Sequence, residues 1–355
     1  MFGGRSSEHP ISIRSAKSVR QAIDPDRFEV VLLGVGYDGA WHLHSAATME
    51  RLERDAAAGA ERRVVPVGAE GRLELRTEDG TRVATVDLAL PILHGPGGED
   101  GTFQGFLETV GVPYVGSGVL GSSVGMDKDV QKRLLREAQI PVVPFVAAGR
   151  SGWERGRDSV RRRALELGLP VFVKPANLGS SVGIRKVKGE AELDAAIDHA
   201  FAFDTKVVVE KGVDAREIEC AVLGNEEPEA SVLGEIIPGE EFYSYEDKYS
   251  SASKSRLVIP APLDETLATS MRALAVRAFQ VTECLGMARV DFFLERATSR
   301  VFVNELNTIP GFTSISMYPK LWEASGVSFR ALVGRLIDLA FERSEQRKKL
   351  RVSGE

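Results

Sequence analysis

The chain has 355 residues, which is too long for one compact core, so two or three domains are expected. Its composition is that of an ordinary globular protein, and a formal net charge of -6 without a long basic block argues against a nucleic-acid surface. No apolar run is long enough to span a bilayer, and no signal pattern opens the chain, so a cytoplasmic protein is expected. The two cysteines, Cys220 and Cys284, are too few for a disulfide framework and are expected to be buried and reduced.

The first third of the chain alternates predicted strands and helices. Residues 1–4 resemble the last residues of a strand that runs into a glycine turn, and the apolar spacing of residues 8–23 predicts a helix. Further strands are predicted at 28–34, 86–93 and 113–115, and a helix at 102–110. Because strands that alternate with helices favour parallel pairing, this section predicts a mainly parallel sheet covered on both sides.

A glycine- and serine-rich stretch, residues 116–125, leads into the rest of the chain. Asp127 is a plausible cap for a helix that ends near Ala138. Helices are also predicted at 154–167, 263–284 and 328–342, and strands at 170–174, 207–210, 217–223, 231–237, 289–294 and 301–306. The charged tail from Arg343 is expected to fray.

Two polar pairs interrupt the last two predicted strands. Arg289 and Asp291 are two residues apart, so they share one face of their strand, and Glu305 and Asn307 do the same on the next. The short polar loop 295–300 predicts that the strands pair as a hairpin, which brings three oxygen ligands together. Two carboxylates and an amide suit a magnesium ion that keeps water and phosphate oxygens in its shell.

The alternative for these residues is a solvated polar strand face without a ligand. Aligned polar residues in two apolar strands weigh against that alternative, because polar groups spoil burial unless they have partners. The sequence therefore favours a metal site beside an arginine.

A lysine and a loop of small residues predict a phosphate site. Lys174 ends an apolar strand, and the loop 177–183 is rich in glycine and serine, so backbone N–H groups there can approach a phosphate. This is not a Walker motif, and an isolated loop of this kind is more often a flexible hairpin tip. Lys128, at the first turn of its helix, is by itself more often a solvated lysine.

Three further stretches are candidates for ligand binding. The apolar strand that ends in Glu210 and Lys211 can offer backbone hydrogen bonds to an adenine edge, with Glu217 near a ribose. The glycine-rich loops at 3–8 and 94–101 follow strands, where α/β sheets bind ligands, although such loops also serve as turns and helix caps.

A long loop with three tyrosines lies between two strand-rich sections. Residues 241–249 are aromatic and charged without a clean period, and residues 250–255 continue them with small polar side chains. The simple alternative is an exposed loop, but the aromatic content favours a lid over the site.

Taken together, these motifs resemble the D-alanine–D-alanine ligase family of the ATP-grasp superfamily. The matching runs occur in the family's order and are 3–8 with Ser12, 94–101, 126–128, 174–183, 210–217, 243–249, 289–291 and 305–316. The resemblance implies an α/β ATP-grasp fold, α+β in its C-terminal part, with an N-terminal parallel-sheet domain. It implies domains at residues 1–122, 123–210 and 211–355, the last carrying the metal site and the lid.

The resemblance also implies roles for individual residues. ATP would be bound by Lys128, Lys174, Ser180, Ser181, Glu210, Lys211, Val213, Glu217, Lys248 and Asn304. Two Mg²⁺ ions, for which Mn²⁺ can substitute, would be bound by Asp291, Glu305 and Asn307. The amino-acid substrates would be bound by Glu8, His94, Arg289, Gly311, Ser316 and Met317. The catalytic group would comprise Glu8, Ser180, Tyr249, Arg289 and Gly311, with Tyr249 linking the lid to the substrate site through Ser180 and Glu8.

The implied reaction joins two D-alanines through a D-alanyl phosphate, releasing ADP and phosphate, for peptidoglycan precursor synthesis. The implied partners are ATP and two molecules of D-alanine, with no nucleic acid or membrane, and the family implies a homodimer through the N-terminal domain. Three departures from the family pattern are a short first strand, Pro10, and the region 50–84, which matches no motif.

Three rival functions stay open at this point. A ligase that uses D-lactate or D-serine as its second substrate has similar motifs, although the run 245–249 and Ser316-Met317 resemble the D-alanine type. A regulatory protein that keeps the fold without catalysis would lack a metal ligand or Arg289, and all are present. A small-molecule kinase on the same fold would form ADP without a dipeptide.

Overall fold

A computed structural model describes residues 1–54, 61–239 and 255–351 of the chain. Its strands form three sheets that follow one another along the sequence. The N-terminal sheet contains β1 (Phe2–Gly3), β2 (Leu32–Val35), β3 (Trp41–His44), β4 (Arg62–Ala69), β5 (Arg72–Arg76) and β6 (Arg82–Val86). The central sheet contains β7 (Phe145–Gly149), β8 (Val171–Pro175), β9 (Arg185–Val187) and β10 (Lys206–Lys211). The C-terminal sheet contains β11 (Ala215–Gly224), β12 (Glu229–Ile237), β13 (Arg256–Val258), β14 (Gly286–Glu295) and β15 (Val301–Asn307).

The described helices match most of the predicted ones to within a turn. They are α1 (His9–Ala22), α2 (Ala46–Arg54), α3 (Thr102–Thr109), α4 (Val119–Met126), α5 (Lys128–Glu137), α6 (Arg150–Leu165), α7 (Leu193–Ala200), α8 (Glu265–Val281), α9 (Met317–Ala324) and α10 (Phe329–Lys348). Asp127 caps α5 as predicted, because its side chain accepts hydrogen bonds from the backbone N–H groups of Asp129 and Val130.

The N-terminal sheet is mixed, which confirms the α/β class but corrects the expectation of mainly parallel pairing. Among the described strands of this sheet, β1 and β2 alone pair in parallel, and β2 to β6 form an antiparallel series. The antiparallel part spans residues 32–86 and includes most of the region 50–84, which matches no motif; its short β2–β3, β4–β5 and β5–β6 turns allow only hairpins. The predicted strand at 86–93 makes isolated parallel bridges at Ala89 and Ile92 instead of a ladder.

The central and C-terminal sheets are antiparallel, with strand orders β7-β10-β8-β9 and β13-β12-β11-β14-β15. The predicted hairpin of β14 and β15 is present, and Asp291 lies opposite Glu305 in it. Alternate residues of β14, such as Val290 and Phe292, are buried against α8 in the core. Because side chains alternate across a strand, Arg289 and Asp291 must therefore point to the opposite face.

The C-terminal helix contradicts the expectation of a frayed tail, because α10 runs on to Lys348. Arg343 is buried and donates hydrogen bonds of 2.5 and 2.7 Å to the carbonyls of Gly116 and Tyr114. Its guanidinium also lies 4.3 Å from the centre of the Tyr114 ring. The prediction of a frayed tail was wrong because the charge of Arg343 binds buried carbonyl groups instead of water.

Replacing Arg343 by Met should lower the free energy of unfolding by about 2–3 kcal/mol, since two buried carbonyls lose a charged donor. Urea unfolding at neutral pH measures the change. Arg347→Met on the same helix is the control, because its ion pair with Glu108 is half exposed and should contribute less than about 1 kcal/mol. Equal losses for the two variants would contradict the proposed anchoring.

Both cysteines are free and buried, as predicted. Burial raises the pKa of Cys220 to about 12 and that of Cys284 to about 11, so neither is a reactive thiolate at neutral pH. Within the described ranges, no helix has the length and apolarity needed to traverse a lipid bilayer.

Candidate active site

A cavity of about 690 Å³ lies between the central and C-terminal sheets. Most of the residues that the sequence analysis predicted to bind the nucleotide and the metal ions line it. Those in its lining are Lys128, Lys174, Ser180, Ser181, Glu210, Lys211, Val213, Glu217, Arg289, Asp291, Asn304 and Glu305. Asn307 lines a small adjoining cavity with Lys128 and Glu305.

The predicted oxygen ligands converge at the β14–β15 hairpin. Asp291 and Glu305 are directly opposite in the ladder, and the Asn307 amide donates a 3.0 Å hydrogen bond to Asp291. A bulge follows Asp291, where the register shifts. Two carboxylates and an amide oxygen are hard donors, so this set fits a magnesium ion that also binds phosphate oxygens.

Arg289 is held in place by carboxylates on two strands. Its guanidinium donates two hydrogen bonds of 2.7 Å to Asp291, and Nε lies 3.0 Å from Glu219. Burial alone would lower the pKa of Arg289, but Asp291 and Glu219 outweigh it and hold the pKa well above its ordinary value. The guanidinium is therefore a permanent cation fixed at the wall of the cavity.

Glu219 is a residue that the sequence argument missed. It lies opposite Asp291 on β11, two residues after Glu217, so both glutamates share the cavity face of that strand. The same period of two that identified Arg289 and Asp291 would have identified this pair.

A buried chain of charges supports Lys174. Its ammonium donates a 2.7 Å hydrogen bond to Glu210, whose other carboxylate oxygen lies 3.2 Å from Lys132 Nζ. Burial would lower the pKa of Lys174, but Glu210 and Glu305 reverse that effect and raise it. Burial would raise the pKa of Glu210, but the two ammonium groups hold it below its ordinary value.

Both carboxylate oxygens of Glu210 face ammonium groups, so its side chain is paired with Lys132 and Lys174. Lys132 is a second residue that the sequence argument missed. It lies one helical turn after Lys128 on α5 and is fully buried.

Lys128 reaches into the cavity from the start of α5. Its ammonium donates a 2.7 Å hydrogen bond to the carbonyl of Leu178, in the glycine–serine loop, and lies 3.2 Å from Glu305. It thereby joins the glycine–serine loop to β15, the strand that carries Glu305 and Asn307.

The glycine–serine loop is bent sharply over the cavity. Ser180 and Ser181 both have positive φ values, 50° and 61°, a conformation that costs energy for residues other than glycine. The Ser180 hydroxyl donates a hydrogen bond to the Glu8 carboxylate, as the predicted link between loop and substrate site requires.

Glu8 and His94 lie together at the end of the site formed by the N-terminal domain. Burial lowers the pKa of His94, although Glu8 opposes this effect. Burial and the nearby Glu8 raise the pKa of Glu99 to about 8, so Glu99 binds a proton at neutral pH. Glu99 accepts a 2.9 Å hydrogen bond from the Gly95 backbone and was not singled out from the sequence.

The predicted residues for the second substrate lie in the loop between β15 and α9. Ser316 Oγ accepts a 3.0 Å hydrogen bond from the Thr313 backbone and packs against Gly311. Met317 begins α9 with its side chain buried in the core against Gly234, so a substrate contact there would use its backbone. The lid residues Lys248 and Tyr249 lie outside the described residues.

The family model described as the D-ala D-ala ligase N-terminus matches residues 1–117, and the one described as its C-terminus matches residues 134–338. A "D-alanine--D-alanine ligase A" of Chromobacterium violaceum is 49% identical, over 99% of this chain and 96% of that protein.

Two solved structures have the same overall fold. A D-alanine-D-alanine ligase from Coxiella burnetii superposes with a TM-score of 0.85 at 37% identity, over 98% of this chain and 94% of its own. The VanG D-Ala:D-Ser ligase from Enterococcus faecalis gives a TM-score of 0.83 at 34% identity, over 96% and 97%.

Proposed function

The chain belongs to the D-alanine–D-alanine ligase family, whose reaction joins two D-alanines at the expense of ATP, and we propose which of its residues do this work. The observation that carries the proposal is that Arg289, Asp291 and Glu305 line the same cavity as Lys128 and Lys174, with Lys128 Nζ 3.2 Å from Glu305. Two lysines, an arginine and a cluster of carboxylate oxygens therefore line one cavity of about 690 Å³.

ATP lies between the central and C-terminal sheets in this proposal. Lys128 and Lys174 contact its phosphates, and the backbone of the loop with Ser180 and Ser181 covers the terminal one. The ends of β10 and β11 hold the nucleoside, with backbone groups of Lys211 and Val213 at the adenine. Glu217 holds the ribose, and Asn304 lies at the cavity wall.

The divalent cations lie at Asp291, Glu305 and Asn307. We propose two Mg²⁺ ions, for which Mn²⁺ can substitute, because two carboxylates and an amide leave most of each shell to phosphate oxygens and water. When bound, they neutralise charge on the transferring phosphoryl group.

The first D-alanine is held by its ammonium at Glu8, which Ser180 orients. Its carboxylate is a poor electrophile and accepts the terminal phosphoryl group to give D-alanyl phosphate. The guanidinium of Arg289 and the backbone N–H of Gly311 then stabilise the oxyanion that develops when the second amine attacks.

The second D-alanine is oriented by its carboxylate at Ser316, with the Met317 backbone beside it. Its amine displaces phosphate from the acyl phosphate and forms the peptide bond. Tyr249 and Lys248 complete the site from the lid in this proposal, since exclusion of water protects an acyl phosphate from hydrolysis.

The expected activity is phosphate release that requires ATP, Mg²⁺ and D-alanine together. The purified protein should form a dipeptide with the mass of D-alanyl-D-alanine, and a chelator should abolish both signals until Mg²⁺ is restored. ADP formation without dipeptide would indicate a kinase, and no turnover at all would contradict the proposal.

The second substrate is tested by competition. With D-alanine, D-serine and D-lactate present together at neutral pH, the main product should be D-alanyl-D-alanine. The similarity to a D-Ala:D-Ser ligase makes D-serine the more informative competitor. A depsipeptide or a D-alanyl-D-serine as main product would assign the chain to the corresponding ligase type.

We also propose domains at residues 1–122, 123–210 and 211–355, supported by the one sheet that each contains. We propose a cytoplasmic location, where ATP is available as a substrate. A homodimer through the N-terminal domain is supported by exposed apolar residues on β4, Val65 and Val67. Sedimentation equilibrium measures that state.

A further inference from the structure

Three polar residues follow one another from the N-cap of α1 along one of its faces. Glu8, Ser12 and Ser15 lie three to four residues apart around α1, so they follow one another along the same side of the helix. Glu8 accepts a hydrogen bond from Ser180 in the glycine–serine loop, and Ser12 Oγ accepts one from the backbone N–H of Gly3 in β1. Ser15 is fully buried, and its side-chain partners are His94 and the backbone of Phe312.

Ser15 connects His94 to the loop between β15 and α9. Its hydroxyl lies 3.1 Å from His94 Nε2 and accepts a 3.3 Å hydrogen bond from the backbone N–H of Phe312. On the other side of the ring, His94 Nδ1 lies 3.0 Å from the carbonyl of Ile309. Three segments that are far apart in sequence therefore meet at one hydroxyl and one imidazole.

The chemistry of the partners determines the direction of each hydrogen bond. The Ile309 carbonyl can only accept, so His94 Nδ1 carries the proton and Nε2 is the acceptor in the neutral ring. The Ser15 hydroxyl then donates to Nε2, while its oxygen accepts from the Phe312 N–H. Both ring nitrogens of His94 are thus hydrogen-bonded within the protein.

The segment that Ser15 holds leads directly to the residues expected at the second substrate. Phe312 follows Gly311 and is itself buried, with its ring 5.4 Å from that of Tyr318. A tight turn closed by Thr313 and Ser316, with hydroxyls 2.7 Å apart, follows at once. A shift of the Phe312 backbone would therefore move Gly311 and Ser316 together.

We propose that Ser15 is a positioning residue for the second D-alanine, acting through His94 and the Phe312 backbone on the loop that carries Gly311 and Ser316. The inference rests on the proposed function. Because Glu8 lies about two turns, roughly 10 Å, before Ser15 on α1, one rigid helix orients the sites of both amino acids.

Ser15→Ala should raise the Michaelis constant for the second D-alanine about 5- to 30-fold, as expected for the loss of one buried hydrogen-bond network. The constants for ATP and for the first D-alanine should stay within about twofold of wild type. Steady-state kinetics over a wide range of D-alanine concentrations separates the two D-alanine constants. Ser15→Thr, which keeps the hydroxyl, should restore much of the loss.

Ser12→Ala is the matched control. Ser12 is equally buried on the same face of α1, but its contacts are Gly3 and the carbonyl of Ile92, not the loop. It should lower the thermal midpoint and leave the ratio of the two D-alanine constants unchanged.

Two outcomes would overturn the inference. Either Ser15→Ala raises both D-alanine constants and that of ATP in parallel, or it leaves all of them unchanged while the thermal midpoint falls. Both results would make Ser15 merely structural. A wild-type protein that forms no dipeptide would instead refute the proposed function, so the two failures are distinguishable.

Discussion

Replacing Arg289 by lysine is expected to leave the protein folded and to lower kcat for dipeptide formation by roughly 10²–10³-fold. Lysine keeps the positive charge between Asp291 and Glu219, so no buried carboxylate loses its counter-ion. It cannot reproduce the planar fork that makes two parallel hydrogen bonds to Asp291. The donor aimed at the developing oxyanion would therefore be misplaced.

The measurement is steady-state phosphate release with saturating ATP and D-alanine, beside a thermal unfolding curve. Arg300→Lys, in the turn of the same hairpin, is the control and should retain activity within about twofold. An active Arg289→Lys enzyme would show that charge alone suffices and would remove the oriented guanidinium from the mechanism. A variant that does not fold would be replaced by Arg289→Gln paired with Glu219→Gln, which keeps the charges balanced.

The second large effect is on the free energy of unfolding. Within the buried cluster of Lys132, Glu210 and Lys174, removing the glutamate charge should cost far more than removing one lysine charge. Glu210→Gln should lower the free energy of unfolding by about 3–5 kcal/mol, because the ammonium groups of Lys132 and Lys174 would then face each other across a neutral amide. Lys132→Met should cost much less, since Glu210 keeps Lys174 as its partner. Burial already lowers the pKa of Lys132, which indicates that its charge is expensive to bury.

The double variant Glu210→Gln with Lys132→Met should be more stable than Glu210→Gln alone, because one of the two opposed charges is gone. Urea unfolding of the four proteins in one buffer completes this double-mutant cycle. Equal losses in the free energy of unfolding for Lys132→Met and Glu210→Gln would show that the two lysines do not repel each other when Glu210 is neutral. That result would contradict the proposal that Glu210 stabilises Lys174 by neutralising this repulsion.

The sequence predicted those site residues whose spacing matches the repeat of a single strand or helix. Arg289 with Asp291 and Glu305 with Asn307 are spaced by two in apolar strands, and the short turn between the strands predicts their pairing. Asp127 precedes a helical pattern and caps it, as such residues do. In each case, the physical rule acts over a few residues, so one sequence contains all the information that the rule needs.

Other parts of the site depend on which segments meet in space. Lys132 looks like any helix lysine until β10 places the carboxylate of Glu210 3.2 Å from it. Arg343 looks like part of a solvated tail until the carbonyls of Tyr114 and Gly116 meet it. The β4–β5 hairpin follows a local rule that the sequence argument did not apply, since its two-residue turn, Glu70 and Gly71, has the positive φ values that such a turn requires.

By itself, the sequence determined the α/β class, the strands that carry the polar pairs and the residues able to bind a nucleotide and its cations. Only the tertiary structure decided which of these residues face each other, and that both nitrogens of His94 are bonded within the protein. The physical reason is that periodicity acts along the chain, whereas burial and charge pairing act between segments brought together by folding. The pKa of a buried group is set by those distant neighbours, so it cannot be inferred from the residues beside it in sequence.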